Sequence, residues 1–134
     1  MDFDYECVKT KPRDGISWLY MHRPEKKNAM SPQLHYEMDE ALQRLEADAE
    51  TKLVVLTGSG GNFSAGQDLK KFFRELEDKP AESKKAQEAA NSWRFERLWN
   101  YAKPTLAMIH GFWVGGVGKN VQPIDLSRSG RSER

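Results

Sequence analysis

Five residues, Ser64-Ala65-Gly66-Gln67-Asp68, stand where chemistry could begin. They follow a short apolar run, Leu53-Val54-Val55-Leu56, and a Gly/Ser/Asn loop, and they lead into Lys70, where a helical pattern can start. A strand, a loop and a helix start present free backbone N–H groups at one corner. The small residues Ser64, Ala65 and Gly66 let another molecule approach the backbone closely. Such a corner suits a partial negative charge. A carbonyl held against the Gln67 N–H would have the charge developing on its oxygen stabilised by a donor already in place. One donor is rarely enough. A second candidate is the Gly-rich turn Gly111-Phe112-Trp113-Val114-Gly115-Gly116, which follows another apolar run, Thr105 to Ile109. Upstream, the polar loop Arg23 to Met30 carries Lys26 and Lys27, flexible point charges able to meet a polyphosphate or simply to stay solvated.

The elements that must hold these residues are legible from period and punctuation. Phe3, Tyr5 and Cys7 alternate with Asp4 and Glu6 as a half-buried strand would, and Asp14-Gly15 supplies a turn before a second strand, Ile16 to Met21, so a hairpin with a longish loop is expected. Ser31-Pro32 gives an N-cap and a first-turn proline. Leu34, Met38, Ala41, Leu42 and Leu45 then recur at helical spacing, the stripe of a helix packed on a sheet, and His35 falls off that stripe, so exposure is expected for it. A second helical region spans Ser83 to Asn100, with Trp93, Phe95, Leu98 and Trp99 as core or subunit-contact anchors. The charged stretch Leu76 to Lys85, broken by Pro80, is expected to be mobile. Cys7 reads as a small apolar filler with no activating base nearby, and His22 as scaffold.

Composition narrows the function classes. The chain has 134 residues, one domain by the usual size, with 21 basic and 20 acidic residues and a net charge of +1. No electrostatic case arises for nucleic acid or an anionic membrane surface. A single cysteine excludes an internal disulfide and offers no zinc cluster. Without an apolar core of signal-peptide length or a membrane-length run, a cytoplasmic protein is expected.

Four segments in order and spacing carry a resemblance. Arg23-Pro24-Glu25-Lys26-Lys27-Asn28-Ala29-Met30, Val54-Val55-Leu56-Thr57-Gly58, Phe63-Ser64-Ala65-Gly66-Gln67-Asp68-Leu69 and Lys103-Pro104-Thr105-Leu106-Ala107-Met108-Ile109-His110-Gly111 are similar to the crotonase (enoyl-CoA hydratase/isomerase) family. Within it the chain most resembles the hydroxycinnamoyl-CoA (feruloyl-CoA) hydratase-lyases, through the Arg23–Pro32 segment, Asp68-Leu69-Lys70-Lys71-Phe72-Phe73-Arg74-Glu75 and Tyr101-Ala102-Lys103-Pro104. The resemblance covers roughly residues 14 to 116. It implies an α/β fold, a crotonase-like ββα spiral truncated before its catalytic and C-terminal helical part, with residues 1–118 as the N-terminal part of the domain and 119–134 as a disordered tail outside the family pattern.

The resemblance also implies a chemistry. Relatives act on acyl-CoA thioesters without a prosthetic group, coenzyme A being part of the substrate, and stabilise an enolate-like oxyanion between two backbone N–H groups. Carried over by position, these donors are Gln67 and Gly116. Lys26, Ala65, Gly66, Asp68, Leu69 and Lys70 fall on the coenzyme-binding segments, although Asp68 could equally serve as a first-turn carboxylate favoured by the helix dipole. Phe72 stands in the substrate pocket where the lyases have a tyrosine for the phenolic hydroxyl. The lyases hydrate feruloyl-CoA and cleave it to vanillin and acetyl-CoA with a glutamate that this chain is expected to lack, and Glu75, Glu77 and Glu82 have no positional claim to replace it. Loss of pattern after Gly116 suggests a shifted reading frame, which sequencing the encoding DNA would test. Full-length relatives form homotrimers or hexamers; self-association of this chain is expected, and Trp93, Trp99 and Trp113 would be its contacts with full-length subunits. Two classes of function stay open: a CoA-thioester lyase, hydratase or isomerase, and a non-catalytic chain that binds coenzyme A or associates with subunits. An RNA-binding offshoot of the fold finds no basic stripe here.

Overall fold

The computed structural model describes residues 5–66, 68, 70–71, 76–109 and 122–125. Strands β1 (Val8–Arg13), β2 (Ile16–Met21), β3 (Leu53–Gly58), β4 (Thr105–Ile109) and β5 (Gln122–Asp125) form one sheet in sequence order. β1 and β2 are antiparallel, and every later neighbour is parallel. Parallel neighbours need crossovers, which helices α1 (Pro32–Ala47) and α2 (Pro80–Asn91) supply on the way to β3 and β4. The ββα succession expected of a crotonase-like α/β fold is present.

The first hairpin is tighter than expected. Arg13 pairs with Ile16, so only Asp14 and Gly15 form the loop, both left-handed with φ of 52° and 84°. Asp-Gly is the pair that accepts two positive φ angles, and this twist matches that of the strands. Cys7, expected inside the first strand, precedes it. Its N–H donates to Glu37 Oε1, a side chain of α1, at 2.7 Å, and its carbonyl accepts the His22 N–H at 2.7 Å, so the chain enters the sheet tied both to the helix and to the end of β2.

α1 starts as its sequence predicts. Ser31 Oγ accepts the Leu34 N–H at 3.2 Å with Pro32 in the first turn, and Leu34, Met38, Ala41, Leu42 and Leu45 are fully buried. Its C-terminus is held from outside. Lys103 Nζ donates to the carbonyls of Leu45 at 2.8 Å and Asp48 at 2.5 Å, and the Tyr101 hydroxyl donates to the Leu42 carbonyl at 2.6 Å. A cation there satisfies carbonyls that lack helical partners and meets the negative end of the dipole. Burial holds the Tyr101 hydroxyl well above the usual phenol range, so it remains a neutral donor.

Two further expectations are corrected. His35 is not exposed but has 0% of its surface accessible, and its Nδ1 accepts the Trp93 Nε1–H at 2.9 Å. α1 has two buried sides: one packs on the sheet, while His35 and Asp39 face the segment after α2, where Ser92 Oγ and Arg97 Nε donate to Asp39 Oδ1 at 3.2 and 2.8 Å. Pro80 does not interrupt a mobile stretch; it opens α2, its missing N–H costing nothing in the first turn. The second helical region therefore starts before Ser83, and from Ser92 to Arg97 it widens into a π-helix. There Trp93 and Leu98 enter the core, whereas Phe95 and Trp99 remain about half exposed, at 49% and 50%. At the other side of the sheet, Gln122–Asp125 pair with Leu106–Ile109.

Trp93→Phe keeps most of the buried ring but leaves His35 Nδ1 without its donor in the core. A loss of about 1–3 kcal/mol in urea unfolding is expected, whereas Phe95→Ala on the open side should cost under about 1 kcal/mol.

Candidate functional site

β2 and β3 run parallel and end side by side, Met21 opposite Gly58, so the loops that follow them emerge together. The first loop folds into a short 3-10 turn, Pro24–Lys26, and then two left-handed residues, Lys27 and Asn28, with φ of 52° and 58°. Asn28 is completely buried. Its Oδ1 accepts the Arg23 N–H at 2.8 Å, and its Nδ2 donates to the carbonyls of Ser59 at 2.9 Å and Asn62 at 2.8 Å. One side-chain amide thus closes its own loop and fastens the neighbouring one. Gly58 makes this fit possible: a Cβ there would fall against the Asn62 and Phe63 carbonyl oxygens and 2.7 Å from Asn28 Nδ2.

The stitching continues along the second loop. Ser64 Oγ donates to the Asn28 carbonyl at 2.8 Å and accepts the Gly66 N–H at 3.0 Å. Ala65 N–H donates to the Lys27 carbonyl at 2.9 Å, and the Gly66 carbonyl accepts the Met30 N–H at 2.6 Å. Gly66 has φ of 85°, a conformation that favours glycine. The Asp68 N–H closes the row on the Met30 carbonyl at 2.9 Å.

A half-hidden ion pair locks the far end. Arg23, 9% exposed, donates from Nη1 to the Ala29 carbonyl at 2.6 Å and to Asp68 Oδ2 at 2.9 Å. Asp68 Oδ1 accepts the Lys71 N–H at 3.2 Å. Burial raises the Asp68 carboxyl, but the Arg23 hydrogen bond, the Lys71 N–H and both positive charges outweigh it and hold the group below the usual carboxylate range. Oδ1 of Asp68 thus caps the Lys71 N–H while Oδ2 holds Arg23.

The other expected residues fall as follows. Lys26 is exposed at the end of the 3-10 turn, one residue from the Lys27 carbonyl that binds Ala65, so the lysine loop and the Ala65–Gly66 corner are joined. Lys70 is exposed on the same segment as Asp68. Gln67, Leu69, Phe72 and Gly116 lie outside the described residues. Asn28 and Arg23 were not among the expected site residues, and Ser64 was expected only to leave room for a close approach, yet the three build the corner. A signal existed for Asn28: an asparagine in a polar loop without glycine is the residue best suited to a left-handed φ.

Neither remaining polar candidate is armed. Burial, helped by the Glu37 charge, pushes the Cys7 thiol up and keeps it protonated. Burial and the Lys9 charge lower the His22 ring, which is neutral at pH 7 and shares a 2.9 Å hydrogen bond between Nδ1 and Ser59 Oγ. Among the described residues no cluster of His, Cys, Asp or Glu could hold a metal ion, and no helix is long and apolar enough to cross a membrane.

A family model described as enoyl-CoA hydratase/isomerase matches residues 11–122. The chain belongs to this family. The match extends past Gly116 into β5, further than the resemblance carried. A hydroxycinnamoyl-CoA hydratase-lyase of Pseudomonas fluorescens is 43% identical over 124 residues, 92% of this chain and 45% of the relative. A 4-chlorobenzoyl coenzyme A dehalogenase of an Arthrobacter species is 39% identical over 118 residues, 81% of this chain and 40% of the relative. A solved Pseudomonas aeruginosa structure superposes with a TM-score of 0.78 at 30% identity, over 92% of this chain and 54% of that one. The chain thus spans less than half the length of these two curated relatives. In this enoyl-CoA hydratase/isomerase family member, the crotonase-like N-terminal fold and its corner are both present.

The ion pair makes the corner sensitive to acid. A carboxyl depressed in the folded state stabilises above its unfolded pKa of about 3.9 and loses that contribution as pH falls through the folded value. Asp68→Asn should therefore cost about 1–3 kcal/mol at pH 7. The gap from wild type should close on acidification below about pH 4, read by denaturation at a series of pH values.

Proposed function

We propose that this chain supplies the coenzyme-binding loop and the first oxyanion corner of an acyl-CoA enzyme whose acyl group is aromatic, hydroxycinnamoyl-CoA (feruloyl-CoA) being the preferred candidate. One observation carries the reading: the lysine-bearing loop and the Ala65–Gly66 corner are a single hydrogen-bonded unit. A ligand anchored at one end by its phosphates would meet a fixed backbone at the other. The names of two relatives, a hydroxycinnamoyl-CoA hydratase-lyase and a 4-chlorobenzoyl coenzyme A dehalogenase, support an aromatic acyl class.

In this reading the thioester carbonyl lies between the Gln67 and Gly116 amides. Water adds across the double bond, oxygen to the β carbon and a proton to the α carbon, through an enolate whose negative oxygen those amides stabilise. In the cleavage step the β-hydroxyl proton leaves, its oxygen forms the aldehyde, and the Cα–Cβ bonding pair passes into a second enolate, that of acetyl-CoA, held by the same two amides. Protonation of that enolate yields acetyl-CoA, with vanillin as the aldehyde from feruloyl-CoA. The proton-transfer group is not assigned to any residue of this chain. Lys26, with Ala65, Gly66, Leu69 and Lys70, would bind coenzyme A, and no prosthetic group is required. A plain hydratase or isomerase, or a chain that binds coenzyme A without turning it over, is the second reading, favoured by Phe72 at the pocket position of a tyrosine. The half-exposed Phe95 and Trp99 support association with further subunits. A cytoplasmic location remains part of the proposal.

Calorimetric titration with coenzyme A and feruloyl-CoA, paired with an assay for aldehyde, tests the reading. Binding of both is expected, with Lys26→Ala weakening coenzyme A about threefold to tenfold, the scale of one exposed charge contact. Absence of binding by either ligand would overturn it, and binding without aldehyde would select the second reading.

A further inference from the structure

We infer that Asn28 and Ser64 are positioning residues for the thioester carbonyl, acting through Gly66 and touching no substrate themselves; this rests on the acyl-CoA reading above. Gly66 is held at both ends of its residue. Its N–H is bound by Ser64 Oγ at 3.0 Å and its carbonyl by the Met30 N–H at 2.6 Å. That carbonyl shares a peptide unit with the amide of residue 67, and a peptide is planar with its N–H opposed to its C=O. Whatever fixes the Gly66 carbonyl therefore sets the direction in which the next amide can donate.

The hold on the Gly66 N–H, which with the Met30 bond fixes both torsions of Gly66, runs back to Asn28. Ser64 Oγ can accept from Gly66 in a defined direction because its proton is committed to the Asn28 carbonyl at 2.8 Å. The Asn28 carbonyl is aimed by a left-handed backbone, φ 58°, which the side chain holds through bonds to Arg23, Ser59 and Asn62. Both residues are buried, at 0% and 1% exposure, so water cannot replace the lost partners without entering the core. The relay joins the loop that carries Lys26 to the peptide that precedes residue 67, and thus ties the coenzyme end of a ligand to its reacting end. A misaimed donor loses its effect on carbonyl charge far more steeply than coenzyme affinity falls, since the lysine contacts are flexible and the oxyanion contact is not.

The test uses the full chain and acetyl-CoA labelled with carbon-13 at the thioester carbonyl. Its infrared stretch is read free and bound, beside calorimetric affinities for coenzyme A. In the wild type the bound band should move to lower frequency. In Ser64→Ala and in Asn28→Gly, which keeps the left-handed φ, most of that shift should be lost while coenzyme A affinity changes less than about threefold. The double variant should lose little more than either single one, because the two residues act on one relay. A full shift retained in both variants would overturn the inference alone. A wild type that binds acetyl-CoA without any shift would also overturn it while leaving coenzyme binding intact, and a wild type that binds neither ligand would overturn the acyl-CoA reading with it. Circular dichroism checks each fold, and if Asn28→Gly unfolds, Ser64→Ala decides.

Discussion

The corner depends on one buried amide. A loop after a parallel strand ordinarily satisfies its backbone with water, but the two loops here lie against each other at the ends of β2 and β3 and exclude it. Three polar atoms left bare by that contact, the Arg23 N–H and the Ser59 and Asn62 carbonyls, are all met by the Asn28 side chain. An aspartate would present two acceptors to two carbonyls, and a leucine would offer a bond to none of the three atoms. The left-handed backbone of residue 28 and the missing Cβ of residue 58 are the steric conditions for that arrangement.

The rest of the fold serves to bring those loops together. Parallel pairing of β2, β3 and β4 puts their carboxyl ends on one edge, the position where open α/β sheets gather their ligand-binding loops. α1 is anchored to that edge through Met30, just before its cap, which exchanges backbone bonds with Gly66 and Asp68, and from the opposite end by Tyr101 and Lys103, which fasten its last turn to the segment entering β4. The two ends of the helix thus secure the spacing between the lysine loop and the third strand. Asp68 and Arg23 then close the far side with a charge pair sheltered enough to order both segments.

What could be read from the residues was what depends on local period. The stripe Leu34–Leu45, the Ser31-Pro32 start, the Asp-Gly turn and the parallel apolar runs each follow from spacing along one element, and the corner from small residues after a strand. What could not be read depends on a second neighbour. His35 falls off the sheet-facing stripe, so only the arrival of Trp93 from a distant segment makes its burial intelligible. The π-helical turn of Ser92–Arg97 likewise answers to packing, since its sequence is an ordinary helical one. Asn28 stands in a motif, but its work lies in bonds to residues more than thirty positions away, which no local pattern encodes.

The lysine loop and the Ala65–Gly66 corner form one structural unit. Amide hydrogen exchange of Arg23, Met30 and Ala65, followed by NMR, tests it most directly, because each of these N–H groups donates within the unit rather than to a strand neighbour in the sheet core. The three are predicted to exchange as slowly as the amides of β2 and β3 and to lose protection together. Exchange of these amides at exposed-loop rates, while the sheet stays protected, would contradict the account.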